Sequence, residues 1–151
     1  MSGRSGSTFE DTKDSTMNPM TMSHDVRLDT DHETAIERVT EALAAEGFGV
    51  LSRIDLHEKF AEKLDVAFRP YTILGACNPA LAHVALGARP ELGLLLPCNV
   101  TVERDGNAVL VRIIDARQMM AMAGLDDDPK VEPVGREADA RLRRVAEALR
   151  D

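Results

Sequence analysis

The chain has 151 residues, 44% of them hydrophobic, and carries 18 Lys and Arg against 26 Asp and Glu, a net charge of −8. That length suits one domain able to bury a sizeable core, and an acidic balance with no basic cluster and no Trp disfavours nucleic-acid binding. No apolar run approaches the roughly 20 residues of a membrane helix, and two cysteines without a secretory signal point to reduced thiols in a cytoplasmic protein.

Residues 1–23 are rich in Ser, Thr, Gly and Met without periodicity and read as a disordered leader, with Met17, Met20 and Met22 as alternative starts. A domain over 24–122 follows, and then an acidic loop with a C-terminal amphipathic helix over 123–151. His24 to Asp29 alternates polar and apolar residues, as a first strand does. Thr30 with Glu33 makes a capping box for a helix whose Ile36, Val39 and Leu43 share a face, ended by Glu46-Gly47. Phe48 to Leu56 reads as a second strand, and Asp55 with Glu58 as a second capping box, opening a short helix that carries Phe60 and Leu64.

The central stretch runs from Tyr71 to Val102. Tyr71 to Cys77 is a short apolar run bounded by Pro70 and Asn78-Pro79, the pattern of a buried strand. Asn78 is a good N-cap and Pro79 a good first helical residue, so a helix starts there and lasts to about Leu86, where Gly87 can end it. His83 falls outside the apolar arc of that helix and faces solvent or a cleft. Strand alternation puts Leu94, Leu96, Cys98, Val100 and Val102 on one face. Pro97 demands an edge, a strand start or a bulge beside Cys98, and Gly75 fits a strand only where something packs closely on the backbone. The connection from Pro79 to Gly93 is long enough for a parallel crossover, which would set Cys77 and Cys98 at opposite ends of neighbouring strands. From sequence, whether the sulfurs meet stays open.

Glu103 to Asn107 is a hairpin turn centred on Asp105-Gly106, followed by a fifth strand with Val109, Val111 and Ile113 in alternation. Asp115 can cap a helix from Ala116 to Met122, whose Met119, Met120 and Met122 fill core gaps in preference to a soft-metal role. Asp126 to Pro133 reads as an acidic surface loop without calcium-loop spacing. Arg136 to Arg150 is amphipathic on Ala138, Leu142, Val145 and Leu149, with Glu137–Arg141 and Asp139–Arg143 as i,i+4 pairs. Together these elements predict a two-layer α+β fold, a mixed or antiparallel sheet of about five strands with helices packed on one face.

No Ser-His-Asp order, P-loop, GxGxxG, CxxC or HExxH pattern is present, so chemistry rests on dispersed residues. Cys77 lies one residue before a helix N-cap, where free N–H groups and the helix dipole favour a thiolate and can hold an anion. The plainer alternative is that both cysteines are inert core residues.

The segments GFGVL at 47–51, ID at 54–55, FRPYTILGACNP at 68–79 and LLPCNV at 95–100 resemble the domain of unknown function 302 family, over about His24 to Met120. Cys77, Asn78, Pro79, Pro97, Cys98 and Asn99 match its two motifs, whereas His57 to Phe60 and both tails depart from its pattern. The resemblance implies a small bacterial or archaeal α+β domain, cytoplasmic and homodimeric, and brings no established activity with it.

The preferred reading is a binding module with a pocket between the sheet and the Pro79 helix, around Cys77 and Cys98. Tyr71, Gly75, Asn78, Pro79, Pro97 and Asn99 are its expected ligand-binding residues, and a small anionic molecule its expected ligand. One alternative is a thiol enzyme or redox sensor with Cys77 as nucleophile and Cys98 as resolving thiol or His83 as base. Another is that the motifs only shape strand packing or a dimer interface. A metal site from Cys77, Cys98 and one of His24, His57 or His83 lacks the close ligand spacing of structural zinc, so no metal ligand is assigned and no cofactor is named.

Overall fold

The computed structural model describes residues 22–151, so the expected leader lies, up to residue 21, outside the described residues, together with the alternative starts Met17 and Met20. The strands are β1 (Ser23–Leu28), β2 (Gly49–Asp55), β3 (Tyr71–Cys77), β4 (Cys98–Asp105) and β5 (Ala108–Ile114). The helices are α1 (His32–Ala45), α2 (Leu56–Leu64), α3 (Pro79–Ala88), α4 (Ala116–Met122) and α5 (Glu132–Arg150), with a 3-10 turn over Pro90–Leu95. The strands form one sheet in the order β1-β5-β4-β3-β2, and every neighbouring pair is antiparallel.

The two-residue repeat of the strands decides which side of this sheet is buried. Val26 and Leu28 of β1, Val109, Val111 and Ile113 of β5, Val100 and Val102 of β4, and Leu74 and Ala76 of β3 form one buried face. The apolar stripes of α1 (Ala35, Ile36, Val39, Leu43) and α5 (Leu142, Val145, Ala146, Leu149) close over it. Burying each large aliphatic side chain stabilises the fold by about 2 kcal/mol, so the coincidence of a strand repeat with a helix repeat sets the two layers. On the other side of the sheet, Glu103 of β4 holds Arg69 and Arg112. A smaller cluster, Ala85, Leu92, Met120 and Val131, joins α3, the 3-10 turn and α4 at one end.

Several local expectations need correction. The β3–β4 pair is antiparallel, with Ala76 opposite Cys98, because the chain between them turns back and does not cross over. Leu94 is 88% exposed, since Pro90–Leu95 winds into a 3-10 turn and the alternating face begins only at Cys98. Asp31, and not Thr30, caps α1, its side chain accepting from the Thr34 amide at 2.8 Å. The Asp55 side chain makes no capping bond to α2; it accepts instead from Thr72 Oγ1 at 2.7 Å and from Arg53. Helix α3 continues through Gly87 to Ala88, Met122 is 62% exposed, and α5 starts at Glu132, earlier than its apolar pattern suggests.

Candidate functional site

The two cysteines lie at the same end of the antiparallel β3–β4 pair, one closing β3 and the other opening β4. β3 ends at Cys77; Asn78 then turns the chain into α3, its Oδ1 accepting from the Leu81 amide at 3.2 Å, with Pro79 in the first helical turn. β4 begins at Cys98, directly after the cis Leu96–Pro97 peptide. Antiparallel pairing sets Cys98 opposite Ala76, so Cys77 and Cys98 come to the same end of the sheet. Both line a cavity of about 40 Å³, closed by Leu81 of α3, Met119 and Met120 of α4 and Gly135 of α5. That is room for a few waters or one compact group, since a water needs about 10–15 Å³. Cys77 is partly buried and Cys98 buried. Burial, reinforced by the neighbouring Cys77, pushes the Cys98 thiol up to about 11.

A larger, polar cavity of about 320 Å³ adjoins this hollow, with Arg117, Arg136 and Arg143 facing Asp115, Asp126 and Glu132. Met120 and Gly135 line both spaces, so Met120 stands between the charged outer cavity and the thiols. A Cβ at position 135 would sit 3.1 Å from Met120 Cγ, so the glycine there leaves that side chain its place.

Of the residues expected around a ligand, the structure gathers Cys77, Asn78 and Cys98. Gly75 and Asn99 are paired across β3 and β4 on the opposite side of the sheet from Leu74 and Val100, and Asn99 is exposed. A Cβ on Gly75 would meet Ser52 Oγ and lie 2.8 Å from the Pro97 ring, so Pro97 packs on the backbone of Gly75. Tyr71 begins β3, at its far end from Cys77, and its amide donates to His57 Nδ1 at 3.0 Å. Pro79 is exposed at the start of α3, and His83 is exposed and does not line the cysteine cavity.

A second constellation was not foreseen. His24 Nε2 donates to Asp139 Oδ1 at 2.8 Å and lies 3.9 Å from Asp115 Oδ2. The three groups fall within 4.8 Å of one another, close enough to hold a metal ion. The Ala116 amide also donates to Asp139 Oδ1, at 3.2 Å, and Arg143 Nε to Oδ2, at 3.0 Å. Burial opposes the charge on Asp139, but the hydrogen bonds from His24 and Arg143 outweigh it and hold its carboxyl below the ordinary value. With both Asp139 oxygens engaged and the Arg143 guanidinium already supplying positive charge, the cluster works as a tie between β1, α4 and α5. The spacing of Asp139 with Leu142, Ala146 and Leu149 was the signal: a carboxylate in a buried stripe needs partners.

The model for Domain of unknown function DUF302 matches residues 24–149. The chain belongs to that family. A DUF302 structure with the same architecture, the crystal structure of an uncharacterized conserved protein from Bacillus stearothermophilus, is similar at 28% identity and a TM-score of 0.78, over 87% of this chain and 100% of that one. None of the curated proteins matches the chain. In this DUF302 chain no helix among the described residues is long and apolar enough to cross a membrane.

Proposed function

We propose that the protein is a small-ligand-binding module whose site is the cysteine cavity, entered from the polar outer cavity past Met120. The observation that carries this reading is that Cys77 and Cys98, from two different strands, line one hollow of about 40 Å³ to which, among the described residues, no charged side chain contributes. The occupant is therefore compact, and it is recognised by sulfur and by the dipoles around Asn78 and the start of α3. The anion-binding part of the expectation moves outward, to Arg117, Arg136 and Arg143. A thiol enzyme fits less well: Cys98 resists ionisation, and among the described residues no histidine or carboxylate lines the hollow to act as its base.

The reading is tested by methylthiolation of the reduced, folded protein with methyl methanethiosulfonate, against a bulky maleimide, followed by mass spectrometry. The small reagent should modify Cys77 and the bulky one should react far more slowly. Equal rates, or no reaction with either reagent, sink the pocket. Met120→Ala should speed the bulky reagent, because it widens the wall between the cavities.

The protein also works, on this reading, as a homodimer with its thiols reduced, as in a cytoplasm. Support for pairing comes from the apolar residues left uncovered around edge strand β2 and the α2–β3 connection: Leu51 at 69% exposure, Ile54, Leu64, Val66 and Phe68. Light scattering should give twice the chain mass, and Leu51→Glu with Ile54→Glu should halve it.

A further inference from the structure

We propose that the cysteine cavity is a binding site for a soft monovalent metal ion, Cu(I), with Cys77, Cys98, Met119 and Met120 as its sulfur donors. The inference deepens the pocket reading and rests on it. Both cysteines of the chain and two of its methionines line the same hollow of about 40 Å³, while His24, His32, His57, His83 and, among the described residues, every carboxylate stay outside its lining. That donor set is selective. Thiolate and thioether ligands favour Cu(I), whereas divalent zinc takes four ligands that commonly include imidazole or carboxylate, and magnesium, calcium and manganese require oxygen.

The elements that carry the donors suit the task. Cys77 and Cys98 sit at the ends of hydrogen-bonded strands, so their backbones are held by the sheet. Met119 and Met120 lie on a helix capped by Asp115, whose Oδ1 accepts from Gln118 N at 3.0 Å, and methionine adapts its length and rotamer to the donor distance required. On binding, the ion replaces the thiol protons, which pass to solvent, and two thiolates around one Cu(I) leave a single negative charge beside the amide groups at the start of α3. No oxidant or reductant enters this step.

The test is anaerobic titration of the reduced full chain with Cu(I) in the presence of bicinchoninate as competitor. One equivalent should be taken from the competitor, X-ray absorption at the copper edge should show a sulfur-only shell, and Zn(II) should not be retained under matched competition. Cys77→Ser and Cys98→Ser should each abolish capture. Met120→Leu, of similar volume, should weaken it by about tenfold or more, a loss at least as large as that from removing a supporting group around a metal ligand, while the melting temperature of the metal-free protein stays in place. Copper left wholly with the competitor, a nitrogen or oxygen shell, or capture unchanged in both serine variants overturns the proposal. Methylthiolation separates the two failures: if Cu(I) is refused while Cys77 is still reached by the small reagent, the pocket stands and the soft-metal assignment falls; if both are refused, both fall.

Discussion

His24 Nε2 and Asp139 Oδ1 lie 2.8 Å apart although 115 residues separate them in the chain, and their hydrogen bond ties the first strand to the last helix. Asp139 is 1% exposed, so removing it strands the Ala116 amide, His24 and one bond of Arg143 at a nearly dry site. Asp139→Ala should cost about 3 kcal/mol or more in urea unfolding at neutral pH, the usual result of breaking a buried pair from one side. Because the folded-state value is depressed below 3.8, the carboxylate stabilises the fold above that pH and its contribution is lost as pH falls through the folded value. The stability gap between the parent and Asp139→Asn should therefore be widest near neutrality and narrow below about pH 4. A gap independent of pH would show that the charge on Asp139 contributes nothing.

The start of α1 offers a comparison of two adjacent residues. Asp31 bonds both the amide and the hydroxyl of Thr34, at 2.8 and 2.9 Å, whereas the group of Thr30 that bonds elsewhere is its carbonyl, which accepts from Arg104. Asp31→Ala should lower the thermal midpoint and Thr30→Ala should leave it nearly unchanged, since only the first removes a side chain that satisfies a free helix amide. The reverse order would return the cap to Thr30.

Of the two glycines in the described strands, Gly49 has open space for a side chain and Gly75 has none. An added methyl would fall on Ser52 Oγ and 2.8 Å from the Pro97 ring, and neither neighbour is the loose end of a long chain. Gly75→Ala should destabilise by about 1–3 kcal/mol, in the range of overpacking, as read by denaturant midpoint at constant slope. Adding Ser52→Ala removes one of the two contacts and should recover only part of the loss. Full recovery would mean that Pro97 yields.

These positions show what was legible in the chain before its structure. The alternation of Val109, Val111 and Ile113 and the spacing of Ile36, Val39 and Leu43 carry the sheet and its covering helices, because a strand or helix exposing that set on the wrong side would lose its burial. The need for a close neighbour at Gly75 was legible too, though not that the neighbours are Ser52 and Pro97. Strand direction was not: a connection from Pro79 to Pro97 is long enough for either sense, and only its winding into α3 and a 3-10 turn brings Cys98 back beside Ala76. The positions of Tyr71, Gly75 and Asn99 outside the cysteine cavity were hidden for the same reason, since they lie close to the cysteines in sequence but register sets where each one sits in the sheet. Spacing along α5 places Asp139 in the buried stripe and so shows that it needs partners, but His24 lies 115 residues away in the chain, too far for spacing to name it.

Register also decides how the two thiols differ, and alkaline titration should report it. Burial keeps the Cys98 thiol protonated up to about 11 in the metal-free fold, against 9.0 ordinarily, while Cys77 is only partly covered. At pH 7 to 9 a small alkylating reagent should therefore label Cys77 first, with Cys98 reacting only after unfolding in guanidinium, as peptide mapping of the two sites would show. The same displacement makes a linkage prediction of definite sign. A raised folded value means that the native state holds a proton the unfolded chain gives up, so this contribution to stability is complete below pH 9 and is lost as the pH rises toward about 11. Cys98→Ala, which has no proton to lose, should show a shallower decline over that interval than the parent. Parallel declines in the two proteins, or labelling of Cys98 ahead of Cys77, would place the buried thiol on the other strand.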